Sequence, residues 1–178
     1  MKYIGAAVWL FAALPATTLA QEPDGAPVPD EVKALAGCWS GSGSVMGKPV
    51  AIGLDARSIT GDALFVVDVD SHALADPEDR YAAHLIFGGK TVRPEDGDAK
   101  NISAFFADSF GGDFTGVGTG SVRPDGFEVA YAYPDASFVN RWRVAGDAVS
   151  WTITARTGAG PEEPFATYDL VRAACAGA

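Results

Sequence analysis

Positive charge, cysteine and histidine are all scarce in this 178-residue sequence: 13 Lys and Arg face 23 Asp and Glu, and there are 2 cysteines and 2 histidines. A formal net charge of -10 excludes a nucleic-acid binder, whose affinity comes mainly from Lys and Arg neutralising phosphates. It equally excludes a protein held on an anionic membrane by a basic cluster. Two cysteines are too few for a zinc ribbon or a disulfide-dense miniprotein. No stretch carries the apolar period of a long helix, and no segment repeats at fixed spacing, which excludes a solenoid or propeller. The signatures G-x-S-x-G and H-E-x-x-H are absent, and neither cysteine lies near a histidine in the chain. Gly41-Ser42-Gly43-Ser44-Val45-Met46-Gly47 imitates a dinucleotide-binding turn. Its third glycine comes one residue late, however, and the string opens a strand rather than a helix. What the sequence does hold is material for one packed domain, with 48% hydrophobic and 11% aromatic residues.

The first twenty residues read as an address. Lys2 gives a positive start, Ile4 to Leu14 form an uncharged apolar run, Pro15 ends it, and Thr18-Leu19-Ala20 places small residues at a cleavage point. This is the pattern of a secretory signal peptide over 1–20, with a mature chain that begins at Gln21 in the periplasm or outside the cell. The apolar run is short of the roughly 20 residues a bilayer helix needs, so no membrane insertion is expected after cleavage. The segment holds one Lys and no acid, which leaves 12 basic against 23 acidic residues in the rest. Leu35-Ala36-Gly37-Cys38 spells a lipoprotein box, but Asp24, Asp30, Glu31 and Lys33 separate it from the apolar run it would have to close. Residues 21–30 are polar and rich in proline, and an extended, disordered arm is expected there. Asp30 is placed to cap a short helical turn through Leu35, stopped by Gly37.

From residue 31 to 178 the dominant signal is alternation with period two. Phe138, Asn140, Trp142 and Val144 share one face of a strand; Val149, Trp151, Ile153 and Ala155 share one face of the next. Val50 to Leu54, Phe65 to Val69, Tyr81 to Phe87, Ile102 to Phe106, Phe127 to Tyr133 and Phe165 to Arg172 repeat the theme. Turn residues fall between them at Gly61-Asp62, Gly88-Gly89, Gly111-Gly112 and Pro124-Asp125-Gly126. One apolar face per strand and sequential hairpins predict an all-β domain of about 8–10 strands, closed into an antiparallel up-and-down barrel to remove its edges. A two-sheet sandwich is the rival architecture.

The two ends of this domain look familiar. Gly37-Cys38-Trp39-Ser40-Gly41-Ser42-Gly43 gives a G-x-W-x-G-x-G string on the first strand, and Tyr168-Asp169-Leu170-Val171-Arg172 closes the last. The pairing resembles the calycin superfamily of lipocalin-like barrels, and within it nitrobindin-like haem-binding barrels and bacterial domains of unassigned function. The resemblance implies that Gly37 and Trp39 form the signature of the closed end, with the Arg172 guanidinium over the indole. It also makes the first and last strands neighbours, which brings Cys38 and Cys175 within reach of a disulfide in an oxidising compartment; two buried free thiols are the alternative.

Haem is the cofactor that the nitrobindin-like resemblance implies, through a histidine in the C-terminal strands. This chain departs from that pattern, because its histidines are His72 and His84 and none follows. No cofactor is therefore assigned. His84 falls on the opposite parity from Leu85 and Phe87, which places it at the surface. Asp68, Asp70, Asp76, Glu78 and Asp79, like Asp96 and Asp98, read as solvated acids without a calcium-loop pattern, so no metal is assigned. Gly41 and Gly43 share parity with Trp39, and Gly116, Gly118 and Gly120 with Phe114 and Val122. These glycines either leave cavity volume beside Tyr131, Phe138, Trp142 and Trp151 or let strands bend at barrel corners. Asn140, polar on an apolar face, is the candidate orienting contact. The reading that follows is an exported barrel binding a small, largely apolar molecule, with no catalytic residue assigned. The alternatives are a haem protein acting on reactive nitrogen species and a filled barrel serving structure or protein interaction.

Overall fold

The computed structural model describes residues 25–91 and 101–175. The expected signal segment, residues 21–24 of the arm, and Asp96 and Asp98 lie outside the described residues. One helical turn, α1 (Asp30–Lys33), precedes ten strands: β1 (Gly37–Val45), β2 (Lys48–Ile59), β3 (Leu64–Ala73), β4 (Asp76–Gly89), β5 (Ile102–Asp108), β6 (Gly116–Arg123), β7 (Gly126–Ala132), β8 (Ala136–Ala145), β9 (Ala148–Thr157) and β10 (Glu163–Ala173). Each strand pairs antiparallel with its predecessor, and β10 pairs with β1 from Cys38↔Ala173 to Val45↔Ala166. The sheet is a closed up-and-down barrel rather than a sandwich.

Alternation explains the wall. Along β2, Val50, Ile52, Leu54 and Ala56 are buried; along β3, Phe65, Val67, Val69 and Ser71; along β9, Val149 and Trp151. Period-two placement sends these residues into one continuous core and their neighbours outward. Hairpins are short where the turn chemistry allows. Met46 and Gly47 both take positive φ (49° and 80°), the conformation that lets two residues join twisted strands β1 and β2.

The barrel has two unlike ends. At the closed end, Val32 of α1 and Val28 and Leu35 on either side of it are buried and join the core. The turn starts one residue earlier than its expected cap: Pro29 O accepts from Val32 N and Lys33 N, and Asp30 is already helical. The last part of the arm is extended but packed, which departs from the expected disorder through residue 30. A Cβ at Gly89 would collide with the carbonyls of Ala26 and Pro27, so this segment lies directly on the end of β4. At the open end sit the β1–β2, β3–β4, β5–β6, β7–β8 and β9–β10 connections.

Candidate functional site

The closed end is fastened through Trp39. Its Nε1 donates to Leu35 O at 2.7 Å, and the Arg172 guanidinium lies 4.1 Å from the indole centroid. Arg172 also donates from Nη1 to Ala36 O at 3.1 Å and from Nε to Asp147 at 3.0 Å. Next to this contact, Cys38 and Cys175 form a disulfide across β1 and the end of β10, with Cα atoms 5.1 Å apart.

Above it, β7 to β10 carry an aromatic wall. Trp142 stacks on Trp151 at 4.2 Å between centroids and on Phe127 at 5.9 Å; Trp151 meets Tyr168 at 4.8 Å. Asn140 is 4% exposed and its Oδ1 accepts from Trp151 Nε1 at 3.0 Å, so it orients an indole within the wall. Tyr131, Asn140, Trp142 and Trp151 are thus brought together on adjacent strands. Phe138 sits higher, edge-on to Tyr133 and Phe165. Two donors in this interior, the Tyr131 hydroxyl and Trp142 Nε1, are buried without a hydrogen-bond partner among the described residues.

The glycines define the borders of that wall, β6 on one side and β1 on the other. They hold no spare volume at their own positions. A Cβ on Gly118 would come within 2.8 Å of the Tyr131 ring, its cross-strand partner, and one on Gly43 within 2.5 Å of the Tyr168 ring, likewise its partner. A Cβ on Gly116 would meet the Tyr133 hydroxyl at 2.9 Å, and one on Gly41 would strike the backbone of Asp169 and Leu170. At Gly43, Gly116 and Gly118 the missing side chains make room for tyrosine side chains of the neighbouring strand, a close approach that neither the cavity nor the bending alternative had named.

Sequence reasoning missed the polar feature of the open half. Tyr81 Oη donates to Asp108 Oδ2 at 3.3 Å, and Tyr133 Oη donates to Phe114 O at 3.0 Å. Burial raises the pKa of Tyr131, Tyr81 and Tyr133, with the Asp108 charge adding to it at Tyr81 and Tyr133; burial alone pushes Tyr168 up to about 12. Four of the chain's five tyrosines therefore stand as neutral hydroxyls in one region. Period-two parity places Tyr81, Tyr131 and Tyr133 on the apolar faces of their segments, but only the fold brings these hydroxyls near one another. Beside them on the rim, an open cleft of about 510 Å³ is bounded by Tyr133, Pro134 and Asp135 on one side and Arg156, Thr157 and Gly158 on the other.

The histidines stand outside. The His84 side chain is 67% exposed and its Nδ1 lies 2.5 Å from Asp68 Oδ1, while Arg57 donates to the other oxygen at 2.6 Å. Burial alone would raise the Asp68 pKa; hydrogen bonds from Arg57 and His84 outweigh it and hold the carboxyl below its ordinary value. His72 shares the outward parity of Asp68 and Asp70 on β3. Neither imidazole faces the interior, so these residues do not fit an axial ligand for haem inside the barrel. Of the acids on and after β3, Asp70 pairs with Arg80 at 3.8 Å and Asp79 with Lys48 at 2.7 Å, while Asp76 accepts from the backbone N of Glu78. Among the described residues no group of three His, Cys, Asp or Glu converges as a metal site. Arg141 is outward too, bonded to Glu128 and Glu162 at 2.8 Å each, which ties the β9–β10 connection to the outer wall.

No protein-family profile matches the chain, and no curated protein matches it by sequence. Among solved structures, Rv2717c from M. tuberculosis is similar over 84% of this chain and 99% of its own, with a TM-score of 0.60 and 18% identity. The S-type phycobiliprotein lyase CPES from Guillardia theta is similar over 83% of this chain and 93% of its own, with a TM-score of 0.58 and 12% identity. Both are ten-stranded antiparallel barrels of the calycin, lipocalin-like kind, and the likeness is one of fold.

Proposed function

We propose that the protein binds a small, largely apolar molecule carrying a hydrogen-bond acceptor, held against the aromatic wall of β7 to β10. The observation that carries this reading is the pair of buried donors, Tyr131 Oη and Trp142 Nε1, that no group among the described residues satisfies. An unsatisfied buried donor costs about 1–3 kcal/mol, and an acceptor on a bound molecule recovers it. The surrounding rings supply the apolar contact that small-molecule sites favour. One of the barrels with this fold bears the name of a phycobiliprotein lyase, which accords with a barrel that handles small molecules. We further propose that the protein works outside the cytoplasm. The support is the Cys38–Cys175 disulfide, which persists in oxidising compartments, and the signal-like segment at residues 1–20.

Two aromatic probes of one shape test the binding. Benzophenone carries a carbonyl acceptor and diphenylmethane does not. Titrated against tryptophan fluorescence, the ketone is expected to bind about three- to tenfold more tightly, the worth of one net hydrogen bond. Trp142→Phe and Tyr131→Phe together should abolish the difference. Equal affinities in the unsubstituted protein would remove the role given to the two donors, and no binding of either probe would remove the reading altogether.

A further inference from the structure

The open rim holds a carboxylate without a cation. Asp108 is half-buried at the end of β5, on the inward parity of Ile102, Ala104 and Phe106. Its Oδ2 accepts from Tyr81 Oη and its Oδ1 from Phe110 N at 2.9 Å, and no Lys, Arg or His side chain pairs with it among the described residues. Other acids on this barrel, such as Asp68, Asp79 and Glu162, do have cation partners.

Aromatic rings gather round this carboxylate. The bond from Phe110 N bends the chain after β5 so that the Phe110 ring returns over Tyr81, 5.7 Å away, and the Phe114 ring stands 6.0 Å beyond it. Tyr133 fixes that loop from the other side through its bond to Phe114 O. Phe110 is 70% exposed and Phe114 52% exposed, so their faces meet solvent instead of filling the core. Folding alone gives no reason to hold two phenylalanines open beside an unpaired carboxylate. Ring faces attract cations, most strongly quaternary or substituted ammonium groups, and a nearby carboxylate adds a full charge of the right sign. The acidic surface as a whole steers cations the same way.

We infer that the rim formed by Asp108, Tyr81, Phe110 and Phe114 is a binding site for an organic ammonium group, so that the ligand is an amphiphile with a cationic head at the mouth and an apolar body inside. The placement of the body rests on the interior-binding reading above. The head needs neither proton transfer nor metal. Asp108 supplies the charge, Phe110 and Phe114 the ring faces, and Tyr81 keeps the carboxylate turned inward.

The test uses decyltrimethylammonium and 1-decanol, equal chains with and without a cationic head, titrated calorimetrically into the whole protein. The ammonium compound should bind about tenfold more tightly. Asp108→Asn keeps Oδ1 to accept from Phe110 N, and its Nδ2 can donate to the Tyr81 hydroxyl in place of the bond Oδ2 accepted, so the loop should hold, which an unchanged Tm verifies. It should erase the preference and leave decanol affinity as it was. Asp113→Asn, which removes an exposed acid from the same loop, should keep the preference. A preference that survives Asp108→Asn, or falls equally in Asp113→Asn, overturns the cation site while decanol binding still upholds the interior. If neither compound binds, both readings fall.

Discussion

Trp39 bonds Leu35 behind it and lies beneath Arg172 from the far end of the chain, and Arg172 in turn reaches Ala36 and Asp147. Removing that guanidinium takes away a ring contact and a bond to a backbone carbonyl together. Arg172→Ala is expected to lower unfolding free energy by about 1–3 kcal/mol in urea titration. Arg143→Ala, which loses an exposed pair with Asp125, should cost under about 1 kcal/mol. Equal losses would show that Arg172 is an ordinary surface charge. Trp39 and Arg172 were legible because each sits in a short string at an end of the domain. Asp108 and Phe110 were not, and Phe114, grouped by parity with the glycines of β6, stands in an exposed turn before that strand: nothing local in Ser109–Thr115 says that the loop folds back on Tyr81.

At the scale of the strand, parity gave the inward faces of β2, β3, β8 and β9, although Val66 and Val139 on the outward parity are buried as well. Parity does not say what a residue meets across the barrel. Gly118 faces Tyr131 because the β6–β7 hairpin turns at Pro124-Asp125, and Gly43 faces Tyr168 because β1 pairs with a strand more than a hundred residues away. The first is a matter of hairpin register and the second of closure, so space and contact were indistinguishable in the sequence. The tyrosines held by β4, β7 and β10 make these strands sensitive to base. A buried hydroxyl with a raised pKa keeps its proton in the folded state after the unfolded chain has begun to lose it. The native state then binds more protons than the unfolded one, and stability falls as pH rises. For Tyr168 the contribution is complete below about pH 10 and is lost as pH climbs through about 12; Tyr81, Tyr131 and Tyr133 shift in the same direction. Thermal melts should show Tm dropping from pH 9 toward pH 11, with Tyr168→Phe flattening the drop. An unchanged slope in that variant would mean the hydroxyl is solvated.

The whole molecule is a ring of strands whose first and last members are joined twice, by the β1–β10 ladder and by Cys38–Cys175. Strand number and closure were readable from regular turn signals and from one-sided alternation. The docking of residues 26–28 was not, since three prolines in a polar stretch resemble a loose arm whether or not a sheet end receives them. A cross-link enclosing 137 residues restricts the unfolded chain by about 5 kcal/mol in the chain-entropy account. Reduction, or Cys38→Ser with Cys175→Ser, should therefore lower the denaturation midpoint substantially with little change in the native spectrum. A shift near zero would place the stability in the ladder alone.

The same cross-link decides how the molecule carries tension. A pull applied to residues before Cys38 and after Cys175 passes from one sulfur to the other and leaves the strands between them slack. The load-bearing path is a single covalent bond, and the ten strands with whatever they enclose lie off it. Once that bond is reduced, the same pull falls on the β1–β10 ladder, and the closed cylinder becomes a sheet that opens from its seam.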